Sequence, residues 1–122
     1  MKDLKVIELA SVLAGPSVGM FFAELGASVV KIENKTTGGD VTRQWKLPSE
    51  NPEAPQSAYW CSVNWGKKIL LKDLNDAADR QEVLDLIRDA DVLISNFRGA
   101  AAARLGMDPD SLRKMNTRLV VG

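Results

Sequence analysis

KVIELASVLAGPSVGMFFAELGASVVKIE, from Lys5 to Glu33, is the stretch on which the fold turns. Val6, Ile7 and Leu9 form a short β-branched-rich run, and Ala14-Gly15-Pro16 interrupts it. Pro16 suits the first helical position, because the N–H it lacks would be unpaired there anyway. Val18, Phe21, Phe22 and Leu25 recur at helical spacing, and Gly26 follows as a residue that readily takes positive φ and ends a helix. Val29, Val30 and Ile32 then begin a second buried strand. Strand, helix and strand in succession form a βαβ unit, whose two strands are parallel and joined by a right-handed crossover.

Beyond Glu33 the rhythm lapses and then returns. Asn34 to about residue 67 carries two adjacent glycines, three prolines and all three tryptophans, and reads as a long loop, either functional as a lid or binding wall or else mobile, with its tryptophans packed for structure. KILLKDL from Lys68 predicts a third strand. Asn75 or Asp76 can cap a helix with Val83, Leu84 and Ile87 on one face. VLIS, ending at Ser95, predicts a fourth strand. An alanine-rich helix follows and stops at Gly106, Asp108-Pro109 opens another that Asn116 can close, and Leu119-Val120-Val121 starts a further strand. This alternation predicts an α/β fold, a Rossmann-like, mostly parallel sheet with helices on both faces. Gly122 comes directly after a buried-type strand, so the expectation is that residues 1–122 are the front piece of a longer protein, apparently truncated after a strand.

The totals narrow the chemistry. In 122 residues, 45% are hydrophobic and 26% charged, the mix of an ordinary globular domain. Lys plus Arg and Asp plus Glu are 16 each, so no overall field draws the chain to nucleic acid or to an anionic membrane, and any anion site must be local. Cys61 is the only cysteine, which excludes an internal disulfide and fits a cytoplasmic protein. No histidine is present, which removes the commonest general base and, with a single cysteine, any zinc cluster, so no metal is expected. No apolar run reaches the roughly 18 residues of a membrane span.

Ligands of open α/β sheets bind beyond the carboxyl ends of the strands, so the turns at Ser11–Pro16, Asn34–Arg43 and Asn96–Gly99 are the places to look. G-x-G-x-x-G is absent, as is a phosphate-binding G-x-x-x-x-G-K-[ST], and neither Ser11 nor Ser95 has a histidine partner for a triad. Lys35, Arg43, Arg98 and Arg104 flank these turns, and Lys67 and Lys68 precede the third strand. Arginines in such places can grip phosphate, although a solvated rim is the commoner role. Asp40, Asp73 and Asp91 read as caps or turn residues rather than nucleophiles.

Seen together, VLAGP (Val12 to Pro16), LGASVVKIE (Leu25 to Glu33), GDVTR (Gly39 to Arg43), NWGKKILLKDL (Asn64 to Leu74), ADVLISNFR (Ala90 to Arg98), RLGMD (Arg104 to Asp108) and NTRLV (Asn116 to Val120) stand in an order and spacing that cover essentially the whole chain. In them the sequence resembles the N-terminal part of the class III CoA-transferases, the family of formyl-CoA, carnitine and bile-acid CoA-transferases and α-methylacyl-CoA racemase. The resemblance implies that residues 1–122 are the N-terminal part of a large domain that binds coenzyme A, that acyl-CoA and a carboxylic acid are the substrates, and that the full-length protein is an interlocked homodimer. Carried over by position, the coenzyme A contacts fall on Leu13, Ala14, Asn34, Lys72, Asp73, Leu74, Asn75, Asn96, Phe97, Arg98 and Arg104. Asn34 stands where some members place arginine, Lys72 where an apolar residue is common, Asn75 where lysine is frequent, and Gly99 follows Arg98 where the family usually has Pro-Gly.

In transferase members an aspartate attacks the thioester and passes through an aspartyl-CoA thioester. The resemblance places that residue beyond Gly122, so no catalytic residue is expected here and the segment alone is expected to be inactive. Two alternatives stand beside this reading: a segment of an α-methylacyl-CoA racemase, working by proton abstraction, and a non-catalytic truncated module with weak or no affinity for coenzyme A.

Overall fold

In the computed structural model, which describes residues 1–122, five strands alternate with helices. Strands β1 (Lys5–Leu9), β2 (Ser28–Asn34), β3 (Lys68–Lys72), β4 (Val92–Ser95) and β5 (Val120–Val121) form one sheet in the order β3-β2-β1-β4-β5. Every neighbouring pair is parallel, with Ile7 opposite Val30 on one side and Leu93 on the other. The α/β, Rossmann-like sheet expected from the alternation is therefore present. Helices α1 (Ala14–Glu24), α2 (Ala58–Asn64), α3 (Ala77–Arg88), α4 (Gly99–Arg104) and α5 (Pro109–Met115) connect the strands. None is long and apolar enough to cross a membrane.

The two faces of the sheet are built differently. Ile7, Leu9, Ile32 and Leu93 point to the side of α3 and α5, where Val83, Ile87 and Leu112 complete a continuous apolar core. Successive strand residues point to opposite faces, so Val6, Glu8, Ala10, Val29, Lys31 and Ile94 belong to the other side. There Val6, Ala10, Ala27, Val29 and Ile94 form a smaller apolar cluster against Phe22 and Ala23 of the first crossover.

Helix starts follow local chemistry. Asp76 accepts from the Asp79 N–H and caps α3, and Asp108 accepts from the Ser111 N–H ahead of Pro109 in α5. These oxygens satisfy donors that the first turn leaves without partners. Gly106, at φ 69°, follows the end of α4 as the expected stop.

Two expectations change. The stretch expected as a loop from residue 34 to about 67 contains short 3-10 turns at Lys35–Thr37 and Val41–Gln44 and the helix α2. Ser57 caps that helix by accepting from the Trp60 N–H, and Trp60 and Val63 are its buried residues. Helix α1 begins at Ala14, which makes Pro16 the third rather than the first helical residue. Its buried side is Pro16 and Gly19, whereas Val18, Phe21 and Leu25 are exposed, Phe21 by 55%. The cause lies beneath it: Glu8 of β1 occupies the space under the helix, and only a residue without a side chain fits over it.

Candidate functional site

In the order β3-β2-β1-β4-β5 the direction of winding reverses between β1 and β4, and the loops leaving these strands diverge to open a crevice beyond their carboxyl ends. A cavity of about 550 Å³ lies there. Leu9, Ala10 and Ser11 line it after β1, Asn34 at the end of β2, Lys72 to Asn75 after β3, and Asn96 and Phe97 after β4. Ala101, Arg104 and Leu105 close it from α4. The Asn96 side-chain amide donates to the Ser11 carbonyl at 3.4 Å, joining the two loops of the reversal.

Among the residues anticipated from the sequence, Asn34, Lys72, Asp73, Leu74, Asn75, Asn96, Phe97 and Arg104 line this one cavity, while Leu13, Ala14 and Arg98 are not in its lining. Leu13 and Ala14 open α1 and are exposed, and Arg98 precedes α4, also exposed. The cations differ in what they already bind. Lys72 pairs with Glu82, and Lys35 with Asp79, whose carboxyl is held below its ordinary value by the Asp73 N–H and by Lys35. Arg104 donates one N–H to Asn75 Oδ1 at 2.9 Å and has no carboxylate partner. Its guanidinium therefore keeps most of its charge and donors free for an anion. Asn34 is committed locally, its Oδ1 accepting from the Thr36 N–H and hydroxyl.

Two cations read from the sequence as a solvated rim or a phosphate contact serve the interior instead. Arg43 donates from Nε to Glu33 at 2.7 Å and stacks on the Trp60 ring at 4.0 Å. Lys67 has a fully buried ammonium, 2.7 Å from Glu8, that also donates to the Pro16 carbonyl and to Asn64 Oδ1. Burial pushes its pKa down, against the opposing pull of Glu8.

The floor of the cavity is a set of buried charges that motif reading passed over. Lys31 lies 3.3 Å from Glu8 and 2.9 Å from Asp40, with all three side chains almost wholly buried. Glu33 accepts from the Asp40 N–H and Arg43 through one oxygen and from the Trp60 indole N–H through the other. Burial would raise the pKa of Asp40, but the Lys31 ammonium and the Thr42 N–H and hydroxyl hold it below the usual carboxylate value. A signal for this cluster was available in the strands: Glu8, Lys31 and Glu33 stand at inward positions of segments that are otherwise apolar, where a charge is rare unless paired. Asp40 does cap a 3-10 turn, as its type suggested, but capping is only part of its role.

Comparison with known proteins gives the family and the fold. Over 98% of its length the chain is 42% identical to a succinate–glutarate CoA-transferase of Agrobacterium fabrum, of which it covers 30%. It is 38% identical to an acetyl-CoA:oxalate CoA-transferase of Acetobacter aceti across 96% of the chain and 29% of that protein. Among solved structures, a CAIB/BAIF family protein from Brucella suis superimposes with a TM-score of 0.86 at 36% identity, matching 98% of this chain and 32% of the other. The chain thus spans about 30% of the length of the curated relatives it matches. The profile of CoA-transferase family III matches residues 1–122 throughout, and the chain belongs to that family.

Proposed function

We propose that the cavity beyond β1 and β4 binds coenzyme A, and that the chain is the N-terminal part of the CoA-binding domain of an acyl-CoA:carboxylate CoA-transferase. The observation that carries this reading is Arg104: a guanidinium without a carboxylate partner, at a cavity whose other walls include Leu9, Ile32, Leu74, Phe97 and Leu105. Coenzyme A needs that combination, apolar surface for its adenine and fixed donors or cations for its phosphates. The relatives' activities toward CoA thioesters of small carboxylic acids support the same class of substrate.

Transfer through an aspartyl-CoA thioester needs a carboxylate free to attack a thioester carbonyl. The family resemblance assigns that nucleophile outside residues 1–122, and in this reading the role of these residues is to bind and orient the CoA moiety.

Calorimetric titration of the 122-residue chain with coenzyme A tests the reading. Arg104→Ala should weaken binding about 10- to 100-fold, the worth of hydrogen bonds to a charged group, with an unchanged circular dichroism spectrum, because the side chain is exposed. Equal affinity in a folded Arg104→Ala protein, or no heat from the wild type at millimolar coenzyme A, rejects it.

A further inference from the structure

Val12 is the only residue other than glycine with a positive φ, 72°. Left-handed backbone is unfavourable for any side chain and especially for a β-branched one, and it persists where its surroundings hold it. Nothing local does so here: Leu13, the residue that caps α1, makes no side-chain capping bond. The restraint comes from Asp40, whose Oδ2 accepts from the Val12 N–H at 3.2 Å.

That carboxylate is itself fixed on every side. Oδ2 also accepts from Lys31 Nζ at 2.9 Å, Oδ1 accepts from the Thr42 N–H at 3.0 Å and from its hydroxyl at 2.9 Å, and the Asp40 N–H donates to Glu33 at 2.9 Å. Lys31 is held from its far side by Glu8 at 3.3 Å, and Glu8 by Lys67 at 2.7 Å. A line of four buried charges thus runs from beneath α1 to the turn that starts it.

We propose that Asp40 is a positioning residue for the turn after β1, clamping Val12 in its left-handed conformation so that the chain turns from Ser11, which lines the cavity, into Leu13 and Ala14 at the start of α1. The proposal rests on the reading of the cavity as a coenzyme A site. The handedness at Val12 sets the path of the next residues, so loss of the clamp lets this valine relax to extended backbone and turns the loop away. Binding must then restore the disfavoured conformer, at a cost to affinity.

Asp40→Ala removes the acceptor of the Val12 N–H whatever its neighbours do. It should lower affinity for coenzyme A about 5- to 30-fold, the population ratio that left-handed backbone costs a residue with a side chain. Val12→Gly in that background should restore most of the loss, because glycine takes positive φ freely. A merely structural Asp40 would lower the melting temperature without rescue by glycine. Failure of Val12→Gly to restore binding, or wild-type affinity in a folded Asp40→Ala protein, overturns the proposal.

Hydrogen exchange at the Val12 amide without ligand reads the clamp separately, and needs no variant. Protection in the wild type supports it; fast exchange overturns it even if Asp40→Ala does not fold. A protected Val12 amide in a wild-type chain that takes up no coenzyme A rejects the assigned ligand, and the positioning role toward it, and leaves the clamp standing.

Discussion

Gly19→Ala measures how tightly α1 is wedged against the sheet. A Cβ at this position would lie 1.9 Å from Glu8 Oε2 and 3.2 Å from Lys67 Nζ. Glu8 cannot give way cheaply, since its fully buried carboxylate sits 3.3 Å from Lys31 and 2.7 Å from Lys67, and withdrawing from the helix means leaving one of them. Alanine gains about 0.8–1.0 kcal/mol over glycine inside a helix. Against that stand about 1–3 kcal/mol for overpacking and, if an ion pair opens, about 3–5 kcal/mol for an uncompensated buried charge. The net expectation is a loss of about 2 kcal/mol or more, which for a domain of this size lowers the melting temperature by about 6–10 °C. Gly99→Ala is the matched control, because a Cβ there meets nothing within 4 Å. Thermal melts followed by circular dichroism should separate the two, with Gly99→Ala at or slightly above wild type. A Gly19→Ala protein as stable as the Gly99→Ala protein would refute the wedge.

Phe21→Ser should shift the urea midpoint by no more than about 0.5 kcal/mol of stability, as for an ordinary surface change, because α1 turns this ring outward; a loss near that of a core phenylalanine would show it packed. Asp76→Ala should cost about 1 kcal/mol through loss of the cap on α3, read as a lower urea midpoint with an unchanged slope. Acid should destabilise the chain in a defined window. The folded pKa of Asp40 lies below its ordinary 3.8, so the stability it contributes is complete above that value and disappears as pH falls through the folded pKa. Asp79, Asp85 and Asp108 are shifted the same way. Melting temperature should therefore hold level from pH 7 to about 5 and drop below about 4; a rise on acidification would contradict the paired state of these carboxylates.

How much the sequence reveals depends on whether a residue's partner is near or far along the chain. Lys5 to Glu33 shows its βαβ form because strand, helix and glycine stop are local patterns, and Asp76, Gly106 and Asp108 are legible for the same reason. Helix α2 is hidden because it spans only Ala58–Asn64, too short for a period to emerge between Pro55 and Gly66. The side on which α1 packs is not legible for a deeper reason. Val18, Phe21 and Leu25 form the more apolar stripe, yet the helix buries Gly19, because what lies below is a carboxylate and not a hydrophobic gap. In the site, most of the residues carried over from the family line one cavity, from the ends of β2, β3 and β4 and from α4, while Leu13, Ala14 and Arg98 lie outside its lining; the clamp on Val12 joins positions 28 residues apart and leaves no local trace.

The contrast between the two sheet faces follows from what each must do. On the side of α3 and α5, Ile7, Leu9, Ile32, Val83, Ile87, Leu93 and Leu112 supply non-directional cohesion, which tolerates small shifts of one element against another. On the side of α1 and α2, Glu8, Lys31, Lys67 and Asp40 bear a desolvation cost that an apolar set of equal volume would avoid. Such a cluster is poorly explained as a source of stability. The hydrogen bonds of Lys67 and Asp40 are directional, however, and reach different segments: Lys67 donates to the Pro16 carbonyl and to Asn64, and Asp40 accepts from Lys31, Val12 and Thr42, while Glu8 is held by its ion pairs with Lys31 and Lys67. Charges so connected fix the rotation of α1 and the path of the turn before it more narrowly than packing alone. They are concentrated under the cavity floor, where Lys31, Glu33 and Asp40 are themselves lining residues, and the precision they supply is spent at the site rather than across the fold.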